Sequence, residues 1–347
     1  LDSCEPAFAP ALIERGATVD AHSAARLGML DELVSLVSAN PKLVHARGGD
    51  GQTPLHFAGT IEIAQYLLGQ GADIDIRDID HESTPVQWMV RERPDIARFL
   101  VSRGAATDIL LASSLGDLDR VRQFLEDDPD SIRMTVSPEY FPMRNPRAAG
   151  TIYNWTLGGN KTPHVIARQF GHEDIFALLM ERSSDELKLA QACVLGERDI
   201  FEALIKHRPD IPQSLSPEER HKLVEAAEDN NTEAVKLMLD AGWPTDLRGM
   251  EGGTALHVAS WFGNAEMVRA LLKHGAQLEI RGDTYNMTPL GWALHGCQHS
   301  WRKDTGDYVA TVEALLAAGA AAPPVADDID ASDPVRAVLR RHADGGG

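Results

Sequence analysis

Near its C-terminal end the chain reads HGCQHSWRKDTGDY, and His295, Cys297 and His299 are residue types that hold metals or activate nucleophiles. Histidines four positions apart share one face of a helix, so two imidazoles at that spacing can meet one cation. Gly296 between them argues against a sustained helix, and no second Cys or His pair completes a four-ligand set. The expectation is therefore no metal and no cofactor. Cys297 beside the histidines resembles a thiol–imidazole pair only by proximity, because no orienting third group can be named. Carboxylates offer a different chemistry. Glu228 and Asp229 lie upstream, Asp304 and Asp307 lie in the polar stretch, and carboxyl groups about 5–9.5 Å apart suit glycoside hydrolysis. Trp261 would then be a platform for a sugar face. Against this stands a chain with 52 acidic residues, where four surface carboxylates need no special purpose.

The elements that must position these groups are repeats. TALHVASWFGNAEMVRALLKHGA, Thr254 to Ala276, is the cleanest copy of a unit that recurs from about residue 20 to about residue 320. A TxLHxA turn opens a short helix, Gly263-Asn264 closes it, and a second amphipathic helix runs back to Gly275. Leu27, Leu30, Leu33 and Leu36-Val37 carry the same helical spacing in an earlier copy, with Gly28 at the turn. TPLHFA at Thr53 opens a copy that is short in its first helix, which should distort the stack locally. Each pair buries its apolar face only against the next, so the array grows without separate cores. The expected organisation is one array over 1–334, with a capping helix and tail over 334–347. Asp333 is the expected N-cap of that helix, with Pro334 at its first position.

Two insertions interrupt the period. The first, about 129–160, has proline at a density that forbids a long helix. It also carries Tyr140, Phe141, Tyr153 and Trp155, which a floppy linker would lack, so an ordered loop packed on the array is expected. The second, about 297–305, separates the helices of the last copy.

Composition bounds the partners. A net charge of −19 disfavours the phosphate backbone of nucleic acids, which needs a dense basic surface. No run approaches the roughly 18 apolar residues of a membrane span. LDSCEPAFAP lacks the basic and apolar regions of a secretory signal, although a leader trimmed before Leu1 stays open. Cys4, Cys193 and Cys297 are odd in number and widely spaced, which favours a reducing compartment and hence the cytoplasm. A monomer is expected.

TPLHFA at Thr53 and TALHVA at Thr254, with GADIDIRD at Gly71 and GNAEMVRALL at Gly263, resemble the ankyrin repeat, in about nine copies of varying fidelity. The resemblance implies an all-α helix–turn–helix solenoid with short β-hairpin loops, a concave binding face, and binding of other proteins without catalysis. It also assigns Thr53, His56, Thr254 and His257 to hydrogen bonds between repeats. In such units the residues just before the turn glycine face the concave side. Here those positions are Gln169 and Phe170, Glu228 and Asp229, Trp261 and Phe262, and His295. With Trp292, His299, Trp301 and Tyr308 from the last copy, and Trp155 as a wall from the first insertion, they outline a Trp-rich pocket for a protein or small ligand. Trp292, inside a first helix, also reads as core. The alternative is an enzyme acting on a small molecule or carbohydrate in that pocket, with Glu228, Asp229, His295, Asp304 and Asp307 as its acid–base groups.

Overall fold

Short helices in this chain start where a hydroxyl residue precedes proline, because proline at the first helical position gives up a backbone donor that has no partner anyway. Thr53–Pro54, Thr84–Pro85, Thr162–Pro163, Ser216–Pro217 and Thr288–Pro289 each begin one. The computed structural model describes residues 6–324 and 329–345. Cys4 and the last two glycines of the tail lie outside the described residues.

The histidine of the TxLH turn closes the cap. The Thr53 backbone N–H donates to His56 Nδ1 (3.1 Å), and His56 Nε2 donates to the Ser83 carbonyl of the next repeat (3.2 Å). Thr254, His257 and Met287 repeat the arrangement at 3.0 and 3.1 Å. In the repeat opened by Thr84, Gln87 Oε1 takes the imidazole's place and accepts from Thr84 N–H (2.9 Å). Ser216 and Glu219 form a reciprocal capping box. The interrepeat hydrogen bonding that the resemblance implied is thus present at both histidines.

Two compact units result, residues 1–182 and 183–347. In the first, helix pairs include Ala21–Arg26 with Leu30–Ala39, Ile109–Leu115 with Leu118–Asp127, and Pro163–Gln169 with Glu173–Arg182. The copy opened by TPLHFA has a first helix of only four residues, Pro54–Phe57, against seven for Ala255–Trp261. In the second unit, Asp185–Leu195 pairs with Arg198–His207, Pro217–Glu228 with Thr232–Ala241, Ala255–Trp261 with Ala265–Lys273, and Pro289–His299 with Tyr308–Ala317. The terminal helix is Asp333–Gly345, so Asp333 lies within it. The hairpin loops are tight turns with one isolated antiparallel bridge, Arg248 to Thr254, and no strand among the described residues.

Leu223, Val235, Met238, Leu256, Val268, Leu271, Val312 and Leu315 form the continuous core of the second unit. Gly263 makes the turn between two of its helices at φ 65°, and a side chain there would meet the Tyr308 ring at 3.0 Å.

The first insertion is held to its own unit by long-range bonds. Glu82 accepts from the backbone N–H groups of Arg144 and Asn145, and Ala149 N–H donates to the Asp80 carbonyl. Tyr153 is fully buried, with its hydroxyl donating to Asp108 Oδ2 (3.0 Å) and Phe141 edge-on to its ring. The loop is ordered and packed, as its aromatic content predicts.

Candidate functional site

Two first helices of the second unit, Ala255–Trp261 and Pro289–His299, run against each other because small residues let them approach. Gly296 is one of them: a Cβ there would lie 2.5 Å from the Trp261 carbonyl oxygen. This corrects the expectation that Gly296 ends the helix. The helix continues through it to His299, so part of the second insertion is an added helical turn and the rest a loop of turns before Tyr308. The cost of glycine in a helix, about 1 kcal/mol against alanine, is outweighed by the packing it permits.

At this junction lies a cavity of about 390 Å³. Trp261, Trp292 and Trp301 wall it with Tyr285, Met250 and Met287, and His295 and Glu251 are its polar members. Trp261 meets Trp292 edge-on at 6.4 Å and Trp301 at 6.2 Å, the T-shaped arrangement that ring quadrupoles favour. Trp292 is buried, whereas Trp301 and Tyr285 stand 70% and 59% exposed at the rim. The indole N–H groups of Trp261 and Trp292 are buried and find no acceptor among the described residues.

Other residues singled out in the sequence support the cavity from outside it. Phe262 is buried, with Trp301 against its ring at 5.3 Å. Tyr308 is buried too, and its hydroxyl donates to the Trp261 carbonyl (2.8 Å). Glu228 accepts the Met250 backbone N–H (2.6 Å), which fixes one edge of the wall, and burial raises its carboxyl above the ordinary value. Asp229 and Asp304 are exposed, and Asp307 caps the next helix by accepting Ala310 N–H (3.0 Å). None of these four carboxylates lines the cavity, so paired-carboxylate chemistry receives no support from the geometry.

Gln169, Phe170 and Trp155 belong to the first unit. Gln169 is exposed at the end of its helix and Phe170 is half-buried. Trp155 is 56% exposed and lies against His81, ring centroids 4.8 Å apart.

His295 and His299 do lie on one helix face, with rings stacked at 4.2 Å. The residue that joins them is Asp330, from well beyond the last repeat. His295 Nδ1 donates to Asp330 Oδ2 (2.5 Å) and His299 Nε2 to Oδ1 (3.1 Å). These hydrogen bonds, that of His295 foremost, hold the Asp330 carboxyl below the ordinary value. Asp330 thus adds a third donor, a carboxylate from outside the stretch that carries His295 and His299. Cys297 is turned away and buried: its thiol donates to the Leu294 carbonyl and its sulfur accepts Ser332 N–H (3.1 Å).

Asp330, Tyr285, Met250 and Met287 were missed from the sequence. Tyr285 and Met287 sit in an interrepeat loop, where hairpin tips contact ligands in the resembled family, so a signal existed for them. A larger cavity of about 650 Å³ in the first unit was also unforeseen, with Tyr140, Phe141 and Arg144 of the insertion facing Thr84, Gln87 and Asp108. Its acidic members are already engaged: Glu82 holds insertion backbone N–H groups, and Asp108 caps its own helix through Leu111 N–H while accepting from Tyr153 of the insertion.

A family model described as ankyrin repeats in three copies matches residues 21–110 and 223–322, more than half of the chain. The chain belongs to the ankyrin-repeat family. Ankyrin repeats generally serve as protein-interaction modules, and the departures from the motif here, such as Gly291 in place of the histidine, fall inside that fold. Among curated ankyrin-repeat relatives, the E3 ubiquitin-protein ligase KEG of Arabidopsis thaliana is 25% identical over 73% of this chain and 16% of its own length. The ankyrin repeat and KH domain-containing protein mask-1 of Caenorhabditis elegans is 25% identical over 78% of this chain and 9% of its own. The NF-kappa-B inhibitor cactus of Drosophila yakuba is 29% identical over 30% of this chain and 21% of its own. The chain therefore spans under a quarter of the length of each of these relatives. Among the described residues no helix is long and apolar enough to cross a membrane.

Proposed function

We propose that this ankyrin-repeat chain is a binding module that takes an apolar or aromatic side chain of a protein partner into the Trp261 cavity. The observation that carries the reading is the exposed pair Trp301 and Tyr285, rimming a cavity whose floor is already aromatic. Large exposed aromatics cost solvation and are enriched where partners dock, with the energy concentrated in a few desolvated anchors. The two indole N–H groups without acceptors add a reason for a partner that brings a carbonyl or carboxylate, since an unmet buried donor costs about 1–3 kcal/mol.

The relatives' names describe different tasks, ubiquitin ligation, a KH-containing protein and NF-kappa-B inhibition, and the repeat is what they share with this chain. Binding is therefore carried over and the tasks are not. A net charge of −19 supports a protein partner over nucleic acid. The buried free thiols of Cys193 and Cys297 fit a reducing compartment, the cytoplasm, and we read the module as a monomer.

The test is a photocrosslinking amino acid at Tyr285, in the full chain, with the same group at exposed Ile61 as the comparison. A discrete protein adduct at Tyr285, absent at Ile61 and lost on Trp301→Ala, is the expected result. Equal labelling from both positions, or an adduct insensitive to Trp301→Ala, overturns the reading.

A further inference from the structure

We propose that His295, His299 and Asp330 form a site for one divalent transition-metal ion of the zinc class. The donors are two imidazole nitrogens and one carboxylate oxygen, a set that suits Zn²⁺ and its first-row neighbours and is poor for Mg²⁺ or Ca²⁺, which take all-oxygen shells. The three ligating atoms lie within 4.8 Å of one another. In a tetrahedral centre with bonds of about 2.0–2.1 Å, donor atoms stand roughly 3.4 Å apart, so closing on an ion asks for a side-chain adjustment of about an ångström.

The arrangement is built at both ends. On the helix side, His295 and His299 are one turn apart in a helix that Gly296 seats against the Trp261 backbone. His295 is further held by the Trp261 indole, stacked on it at 5.7 Å. On the other side, Asp330 precedes Ala331, which is fully buried, and Ser332, whose N–H donates to Cys297 Sγ. The carboxylate is thus presented to the histidines by two anchored neighbours. Gln298 Nε2 also donates to Asp330 Oδ1 (3.1 Å), an outer-shell bond of the kind that orients a ligating carboxylate. Three protein ligands leave room for water in the remaining position. The ion would staple the segment around Asp330 to the helix that walls the aromatic cavity. The site shares His295 with the cavity wall, but none of its three ligands comes from a partner, so metal uptake can be tested without one.

The test uses the full chain, stripped of metal with a chelator and titrated with Zn²⁺ by calorimetry, with Co²⁺ visible absorption as a second readout. One equivalent is expected to bind, with Co²⁺ bands typical of nitrogen and oxygen ligation. His295→Ala/His299→Ala should abolish both signals, and Asp330→Asn should weaken binding at least the roughly tenfold that loss of even an outer-shell partner costs. Circular dichroism of the metal-free variants checks that the helices remain. No Zn²⁺ uptake by the parent chain overturns the proposal and leaves the three residues as a hydrogen-bonded cluster. Uptake that persists in the double histidine variant, or that is indifferent to Asp330→Asn, overturns it as well.

Discussion

The indole of Trp261 lies over the imidazole of His295, ring centroids 5.7 Å apart and planes inclined by 30°. One ring is a wall of the aromatic cavity and the other belongs also to the cluster with Asp330. Between them they join the cavity wall to a polar junction without a hydrogen bond.

Trp301 rides above this pair with most of its surface in water. Trp301→Ala should change unfolding free energy by no more than about 0.5 kcal/mol, the usual range for exposed positions. The same change should weaken the crosslinked partner's affinity by about 2 kcal/mol or more, the size of an interface anchor. Urea denaturation and calorimetry with the purified partner measure the two quantities. A large stability loss with unchanged affinity would make Trp301 a plug instead of an anchor.

Acid should destabilise this protein through histidines that are not in the site. Burial lowers the pKa of His56 and His257 to about 4 and that of His164 to about 3. In the unfolded chain a histidine titrates near 6.5. Between those values the unfolded state holds a proton that the native state refuses. Stability is therefore full above about pH 6.5, falls as the pH drops toward 4, and flattens once the folded residues also protonate. The loss on full acidification is on the order of 3 kcal/mol for each of His56 and His257 and about 5 kcal/mol for His164, in the unit that contains each. His56→Gln should make the profile of the first unit shallower, leaving the part due to His164, because a glutamine oxygen can accept the threonine N–H without titrating, as Gln87 does for Thr84. Urea midpoints from pH 7.5 to 4 for the parent and the variant check this.

Alanine at two glycines should move stability in opposite directions. At Gly69, the last residue of its helix, an added Cβ meets open space, and Gly69→Ala should stabilise by about 0.5–1 kcal/mol. At Gly296 the Cβ would collide with the Trp261 backbone, and Gly296→Ala should destabilise by about 1–3 kcal/mol despite alanine's better helix propensity. Thermal melts of the two variants against the parent decide it.

Tyr153→Phe tests what the first insertion contributes. It removes the hydroxyl that donates to Asp108, whose carboxyl burial already pushes up. A loss of about 1–3 kcal/mol is expected, the cost of leaving a buried acceptor without one of its donors. Limited proteolysis should then cut first within the 134–150 stretch.

The repeat itself was legible because its signals are local. A hydroxyl residue before proline, a histidine two residues after the proline, and a glycine at the turn all act within a few positions. The tryptophans and His295 stood out by density in one stretch. What was hidden depends on distance along the chain. Asp330 reaches His295 from 35 positions away, through a segment fixed by Ala331 and Cys297. Gly296 was misread because helix propensity is local, while the approach of the Trp261 backbone that makes glycine necessary is not. The insertion's cavity depends on Glu82 meeting Arg144 and Asn145, a pairing that no periodicity announces.

One bond described above joins two things usually kept apart. His257 Nε2 holds the carbonyl of Met287, and Met287 is also part of the cavity wall. The clasp between two successive repeats and a wall of the proposed socket therefore share one residue. If the proposed socket takes a guest, the hold on that guest and the tightness of the repeat junction should vary together, because both act on Met287.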